Sequence, residues 1–498
     1  MRQQAGPASV AEVFDHALTT DPDHEALVTR SQRLTYAELD WQADRAAGAL
    51  RAMGVGPGVR VAACLPNEAD VVVAFHGAMR LGAIWVGINR VLAPPEKRYL
   101  LDDSGAALLL VDVGDEPVPG GGPQTLDVAE WREAVAAVTD RPAGVDVDPH
   151  APAAIAYTSG TTGRPKGAVH SQWNLLLPGA AMVADRGYGP DLRKGDCLPL
   201  TILNMLVLTT LLVAQAGGCS IVMDRTDPEG VAEWIRQESV TTWNGPPALL
   251  HGLAGKDAVA PADLASLDEV WNGGADCPDA VRDRFEAKFD RLVLSTYGLT
   301  EAPAVVAIDP RGGPQRAGSS GRPLDHLAIR IADEQGRSLP AGETGEICVG
   351  PRDDRYRLML GYWGRPEDTA AALAGGQLHT GDVGFLDTDG ELHVRDRKTL
   401  VIIRGGANVY PAEVERVLHE VPGVAACAVL GVTDERLGER VVAAVQPEPG
   451  ASLADDALRG HCLASLARYK VPERFVTVES FPRNAMGKIV RSELSQLF

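Results

Sequence analysis

Apolar and polar positions in the first third of the chain fall into alternating blocks. Thr35 and Glu38 form a capping box, and the apolar stripe behind them predicts a helix running to about Met53, where Gly54 stops it. Residues 59–65 are a short apolar run that reads as a buried strand. Residues 69–81 read as a helix ended by Gly82, and residues 83–88 as a second strand. Pro94, Pro95 and Glu96 open a further helix, and residues 107–111 supply a third strand. This alternation predicts a parallel sheet with helices on its faces. Residues 113–123 are rich in Gly, Pro and acid and read as an exposed loop. The most apolar stretch, residues 205–216, is interrupted by Thr209, Thr210 and Gln215. It is too short to span a bilayer and predicts a buried helix.

From about residue 316 the period shortens. Segments 328–331, 345–349 and 391–394 alternate in polarity and are split by Gly and Asp turns, which predicts a small antiparallel barrel or sheet. After Arg397 the pattern changes again: helix at 412–420 behind Pro411, strands at 425–432 and 441–446, helix at 455–468, strand at 475–479. The expected fold is therefore α/β. A large N-terminal part, residues 1–396, combines parallel-sheet subdomains with a small β-barrel-like one. A smaller α+β domain follows over residues 400–498, joined through 397–399.

The 498 residues are enough for several cores. A formal charge of −20 argues against a nucleic-acid partner, which would require basic patches. Seven cysteines, at 64, 197, 219, 277, 348, 427 and 462, include no Cys-x-x-Cys pair. They suit reduced thiols in a cytoplasm better than disulfides or a zinc site. The first residues lack the apolar core and cleavage pattern of a signal peptide, and no segment reads as a membrane span.

The densest chemistry lies in residues 157–167, Tyr-Thr-Ser-Gly-Thr-Thr-Gly-Arg-Pro-Lys-Gly. Gly160, Gly163 and Gly167 allow backbone N–H groups to approach an anion. Thr158, Ser159, Thr161 and Thr162 add hydroxyl donors, and Lys166 adds a point charge. The glycine spacing is not that of a Walker loop, and Gly167 stands where that loop needs a hydroxyl. The segment resembles the phosphate loop of the adenylate-forming superfamily, which includes acyl- and aryl-CoA ligases, nonribosomal adenylation domains and firefly-type luciferases. The resemblance runs through several motifs in order, from Leu34-Thr35-Tyr36-Ala37-Glu38-Leu39 to Leu494.

Tyr297-Gly298-Leu-Thr300-Glu301 resembles the adenine and metal segment. The resemblance implies that Tyr297 and Gly298 border the adenine, Thr300 meets the α-phosphate, and Glu301 binds Mg²⁺ together with Thr161. Asn272-Gly273-Gly274-Ala275 resembles the loop bordering adenine and acyl pocket. His379-Thr-Gly-Asp382 resembles the ribose segment, Asp382 suiting two hydroxyls at once, with Arg397 as a second contact. Pro482-Arg-Asn-Ala-Met-Gly-Lys488 resembles the lid motif, whose lysine reaches the carboxylate and α-phosphate. Gly405-Gly-Ala-Asn-Val-Tyr410-Pro411 resembles the loop near the thiol tunnel.

The implied activity is ATP-dependent acid–CoA ligation. A small aryl or short-to-medium acyl carboxylate is activated as acyl-AMP, then passed to the CoA thiol, with Mg²⁺ as cofactor. The implied catalytic set is Lys488, Thr300, Glu301 and Lys166. The expected acyl pocket comprises Asn204, Trp243, Asn244, Gly245, Asn272, Gly273 and Ala302. Its three Asn residues hint at a polar or amino-bearing acid, while Leu203, Met205 and Trp243 suit an aryl or medium alkyl group.

Two departures from the family pattern stand out. Ile202 falls where relatives carry an aromatic gate, and Arg397-Lys-Thr399-Leu400 lacks the charged hinge residues. They keep open an alternative: an adenylating enzyme of a natural-product pathway that loads a carrier protein or activates nitrite for diazotisation of an aryl amine. A catalytically silent binder on the same scaffold is a further rival. A homodimer is an open assembly at this stage.

Overall fold

The computed structural model describes residues 6–114, 122–158, 165–273, 277, 279–312, 316, 318–352, 356–398, 400–404, 407–434, 437–483 and 488–498. Thr35 caps the first long helix, Tyr36–Ala52, through both bonds of the capping box. Strands Arg60–Cys64, Ile84–Gly87 and Leu108–Val111 pair in parallel, with helices Ala69–Arg80 and Pro94–Ser104 between them in the chain. They belong to a seven-stranded sheet that continues through Pro152–Thr158 and Lys166–Ser171 to the short edge strand Gly361–Tyr362. That last pairing brings residues about 190 positions apart in sequence onto one sheet edge.

A second, nine-stranded sheet holds Arg193–Asp196, Thr242–Asn244, Glu269–Asn272 and Val293–Tyr297 as parallel neighbours. One large apolar core lies between elements of both sheets, and includes Trp85, Trp131, Leu206, Leu211, Trp271 and Leu294. Residues Leu203–Ala216 fold as a continuous helix, as their apolar run predicts. Its middle turn, Val207–Leu211, is π-helical rather than α, and the 3.6-residue period of the side chains gave no sign of it.

The third sheet is four-stranded and antiparallel, in the order Leu327–Ala332, Gly345–Pro351, Leu378–Leu386, Leu392–Arg397. Beyond it a five-stranded sheet with helices Pro411–His419 and Asp455–Ser465 has its own core around Val414, Leu418, Val429, Ala443 and Leu458. Residues 115–121, within the expected exposed loop, and Thr399 lie outside the described residues.

Candidate active site

Strands Pro152–Thr158 and Lys166–Ser171 form an antiparallel hairpin, with Tyr157 opposite Gly167 and Thr158 opposite Lys166. The Gly- and Thr-rich segment therefore joins two antiparallel strands in sequence, not a strand and a helix. Ser159, Gly160, Thr161, Thr162 and Gly163 lie outside the described residues, as do Gly274 and Ala275. At the hairpin base, Lys166 Nζ sits 2.5 Å from Asp368 Oδ1 and 5.5 Å from the centroid of the Tyr362 ring. Tyr362 reaches this place because Gly361–Tyr362 pairs with the Lys166 strand.

The Tyr362 hydroxyl donates to Glu301 Oε1 at 2.8 Å. Burial, then the neighbouring Glu301 charge, push that phenol well above its ordinary range, so it stays a donor. The segment carrying Glu301 is tied from the other side. His170 is fully buried, which depresses its imidazole to about 4 and leaves it neutral, and its Nε2–H donates to the Thr300 carbonyl at 2.8 Å. Gly298 admits the return of the chain: a Cβ there would lie 1.7 Å from the Ala304 carbonyl oxygen. No side chain could replace it without moving backbone.

The ribose-type segment is built by strand register. Asp382 and Arg397 are cross-strand partners, and Arg397 Nε lies 3.0 Å from Asp382 Oδ1. Tyr297 approaches from the nine-stranded sheet and donates its hydroxyl to Asp382 Oδ2 at 2.6 Å. Burial first, then the Asp382 charge, hold this phenol protonated. Both carboxylate oxygens of the buried Asp382 are thus aligned by donors before any ligand hydroxyl arrives.

Lys488 adjoins Ile489, which bridges Arg483, and the next N–H, of Val490, donates to the Pro482 carbonyl. Its ammonium is lowered by the surrounding protein and then by Arg397, against the opposing pull of Asp382. Arg397 also bears on Tyr297 and Tyr362. The Arg397 charge is thus felt at Lys488, Tyr297 and Tyr362 as well as by its ion-pair partner Asp382. Among the described residues no cluster of three or more His, Cys, Asp or Glu forms a metal cage. The lone Glu301, with one oxygen engaged by Tyr362, suits Mg²⁺, which is held by one or two carboxylates plus phosphate oxygens.

The expected acyl-pocket residues sit in different surroundings. Asn204 Oδ1 accepts from the Ala304 N–H at 3.3 Å, and the Asn272 carbonyl accepts from Thr296 Oγ1 at 3.0 Å. Gly273 is closely approached, since a Cβ there would lie 2.1 Å from Thr296 Oγ1. Gly245 packs against Leu250 and Trp243. Asn244 Nδ2 donates to Asp196 Oδ1 at 2.7 Å. Trp243 and Ala302 are buried in apolar cores. Ile202 is half-buried and packs against the large core at the start of the π-containing helix.

Tyr362, Asp368, His170, Lys194 and Asp196 are neighbours of the site that motif reading did not find. Each lies outside the motif that it supports and meets it only through sheet pairing or packing.

Comparison with known proteins identifies the family. Residues 14–363 match the family model described as AMP-binding enzyme, and residues 413–488 match that of the AMP-binding enzyme C-terminal domain. A feruloyl-CoA synthase of Amycolatopsis sp is 37% identical over 478 residues, covering 93% of this chain and 94% of the relative. Among solved structures, ATP-bound MatB from Rhodopseudomonas palustris superposes with a TM-score of 0.91 at 28% identity, covering 98% of each chain. The apo form of the same protein gives 0.82 at the same coverage. The o-succinylbenzoate CoA synthetase MenE of Bacillus subtilis, in complex with its acyl-adenylate intermediate OSB-AMP, gives 0.88 at 30% identity and 97% coverage of both chains. The chain belongs to the AMP-binding enzyme family and is an AMP-forming carboxylate–CoA ligase.

Proposed function

We propose that this ligase activates a small aryl acid, with Lys488, Lys166, Thr300 and Glu301 as its catalytic set and residues 397–399 as the hinge between residues 1–396 and 400–498. What supports the residue roles is that the charges of the paired Asp382 and Arg397 both bear on Lys488. A lysine placed there can reach a nucleotide whose ribose is held by Asp382. The aryl reading draws on the likeness to a feruloyl-CoA synthase and an o-succinylbenzoate CoA synthetase.

In the first half-reaction a carboxylate oxygen of the acid bonds to the α-phosphorus of ATP, and the bond to the β-phosphate breaks. Two anions meet, so the dominant need is cationic and N–H stabilisation of charge on the phosphoryl oxygens. Lys488 donates to an α-phosphate oxygen, while Lys166 leaves Asp368 to hold the departing pyrophosphate. Glu301 and Thr161 would hold Mg²⁺, which neutralises phosphate charge. Tyr297, Gly298, Gly274 and Ala275 border the base, and Asp382 with Arg397 fixes the ribose. In the second half-reaction the thiol sulfur bonds to the acyl carbon and AMP leaves. The lid turns about the hinge between the two steps.

CoA is the thiol acceptor. A carrier protein presents the same pantetheine thiol, and an assay with each acceptor ranks them. The seven cysteines, all buried and none in a disulfide, fit a reducing compartment such as the cytoplasm. No helix among the described residues is long and apolar enough to cross a membrane.

The test is acid-dependent pyrophosphate release across aryl and aliphatic acids, with and without CoA and nitrite. Lys488→Ala lowers acyl-adenylate formation by about a hundredfold or more, while thiolysis of supplied acyl-AMP suffers less. Unchanged adenylation in that variant removes Lys488 from the mechanism.

A further inference from the structure

Lys194 and Asp196 are both fully buried at the end of strand Arg193–Asp196, with Nζ and Oδ2 2.8 Å apart. Thr209 Oγ1, from the π-helical turn, donates to the same Oδ2 at 2.5 Å. The other oxygen, Oδ1, receives Asn244 Nδ2 at 2.7 Å. The Lys194 ammonium also lies 4.7 Å from the Trp271 ring centroid. A buried ammonium requires a carboxylate partner, and a carboxylate can only accept hydrogen bonds. The Asn244 amide therefore has one permitted orientation: NH₂ toward Asp196, carbonyl oxygen away from it.

Asn244 occupies the carboxyl end of its strand, and the next two strands on one side, Glu269–Asn272 and Val293–Tyr297, also end at residues expected to bind ligand. Ligands of open α/β sheets bind outside that edge. Thr242 and Trp243 are closed off from solvent, whereas Asn244 is partly open. Strand Val293–Tyr297, which ends at the nucleotide-side Tyr297, lies two strands away across Glu269–Asn272. Two strand spacings are about 10 Å, roughly one aromatic ring with a short linker.

We infer that Asn244 Oδ1 is a fixed hydrogen-bond acceptor for the far end of the acid, so that the preferred substrates are aryl acids bearing a hydroxyl or amino group remote from the carboxylate. This rests on the ligase reading and on the acyl pocket lying at that strand edge. Lys194, Asp196 and Thr209 are positioning residues. They never meet the acid, but they prevent the amide from turning to offer its NH₂ instead. A rotatable amide would serve donors and acceptors alike; this one discriminates between them.

The experiment compares kcat/KM for adenylation of a 4-hydroxyaryl acid with that of its O-methyl ether and its unsubstituted parent, in wild type, Asn244→Leu and Thr209→Val. Wild type favours the hydroxy acid by about 10- to 100-fold, through KM more than kcat. Asn244→Leu removes that preference while the unsubstituted acid still turns over, which also shows that the variant is folded. Thr209→Val narrows the preference without abolishing it. Equal kcat/KM for hydroxy acid and ether in wild type, or a preference that survives in Asn244→Leu, overturns the inference while leaving the ligase reading intact. If none of the three acids releases pyrophosphate, while an aliphatic acid does, the aryl reading falls and this inference with it.

Discussion

Two lysine–aspartate pairs flank the site and obey opposite rules. Lys166 and Asp368 meet at 2.5 Å with side chains 19% and 39% exposed, whereas Lys194 and Asp196 meet at 2.8 Å with neither exposed at all. Water and incoming phosphate can compete for the first pair, so its contact is exchangeable and suits a lysine that must leave one anion for another. Nothing can replace the partner of the second. Its desolvation is offset by the pair's own contact, by the Trp271 ring beside Lys194, and by the hydrogen bonds of Asp196 to Thr209 and Asn244. On the proposed roles, the same two residue types would serve as a release at the nucleotide end and as a foundation at the acyl end. Burial, rather than bond length, separates the roles.

The strongest way to break this contrast is Asp196→Ala. Removing one partner leaves Lys194 charged and enclosed, and the expected loss is about 3–5 kcal/mol of unfolding free energy in a denaturant titration. Replacing both members by apolar residues of similar size restores most of it, because the cost lies in the orphaned charge rather than in the absent attraction.

A proton can probe the same rule without mutation. His170 is fully buried and its imidazole is depressed to about 4, below the ordinary value near 6.5. The folded state therefore binds fewer protons than the unfolded one between those limits. The stability held by neutral His170 is complete above about pH 6.5 and is lost as pH falls toward 4, up to about 3 kcal/mol. Buried His76, depressed to about 3, adds a slope of the same sign. Unfolding curves collected through that window show the fall, and a His170→Gln variant shows less of it.

The smallest effect belongs to Asp368→Asn. Breaking a partly exposed pair changes stability by less than about 1 kcal/mol. The KM for MgATP stays level or drops, since Lys166 no longer has a carboxylate to leave. A loss of stability comparable to that of Asp196→Ala would erase the distinction between the two pairs.

Elements whose boundaries depend on local signals were legible in the sequence. The helix Tyr36–Ala52 carries its own capping box, and Pro94 and Pro411 mark the starts of their helices. The separate sheet beyond residue 400 was visible from the change in hydrophobic period. What could not be read was partnership across sequence. Gly361–Tyr362 is two residues long, too short for any periodicity, and only its pairing with Lys166–Ser171 makes Tyr362 a neighbour of Glu301. Asp368 reads as an ordinary acid in the first turn of a helix until Lys166 is placed beside it. Asn244 drew notice as a polar residue near the acyl segment, but the orientation of its amide depends on a lysine 50 positions earlier in the chain. Trp243, named for the same region, points the other way along its strand into an apolar core, as alternation requires for neighbours in a strand.

The widened helical turn at Val207–Leu211 carries a consequence for divergence within the family. Such a turn accommodates one extra residue without ending the helix. Loss of a single residue there would close the turn to regular α-helix with its two flanks kept in phase, and would shift Thr209, which lies inside the turn, off Asp196. A one-codon deletion could then reset what the far end of the pocket accepts, leaving the ATP-handling residues in place.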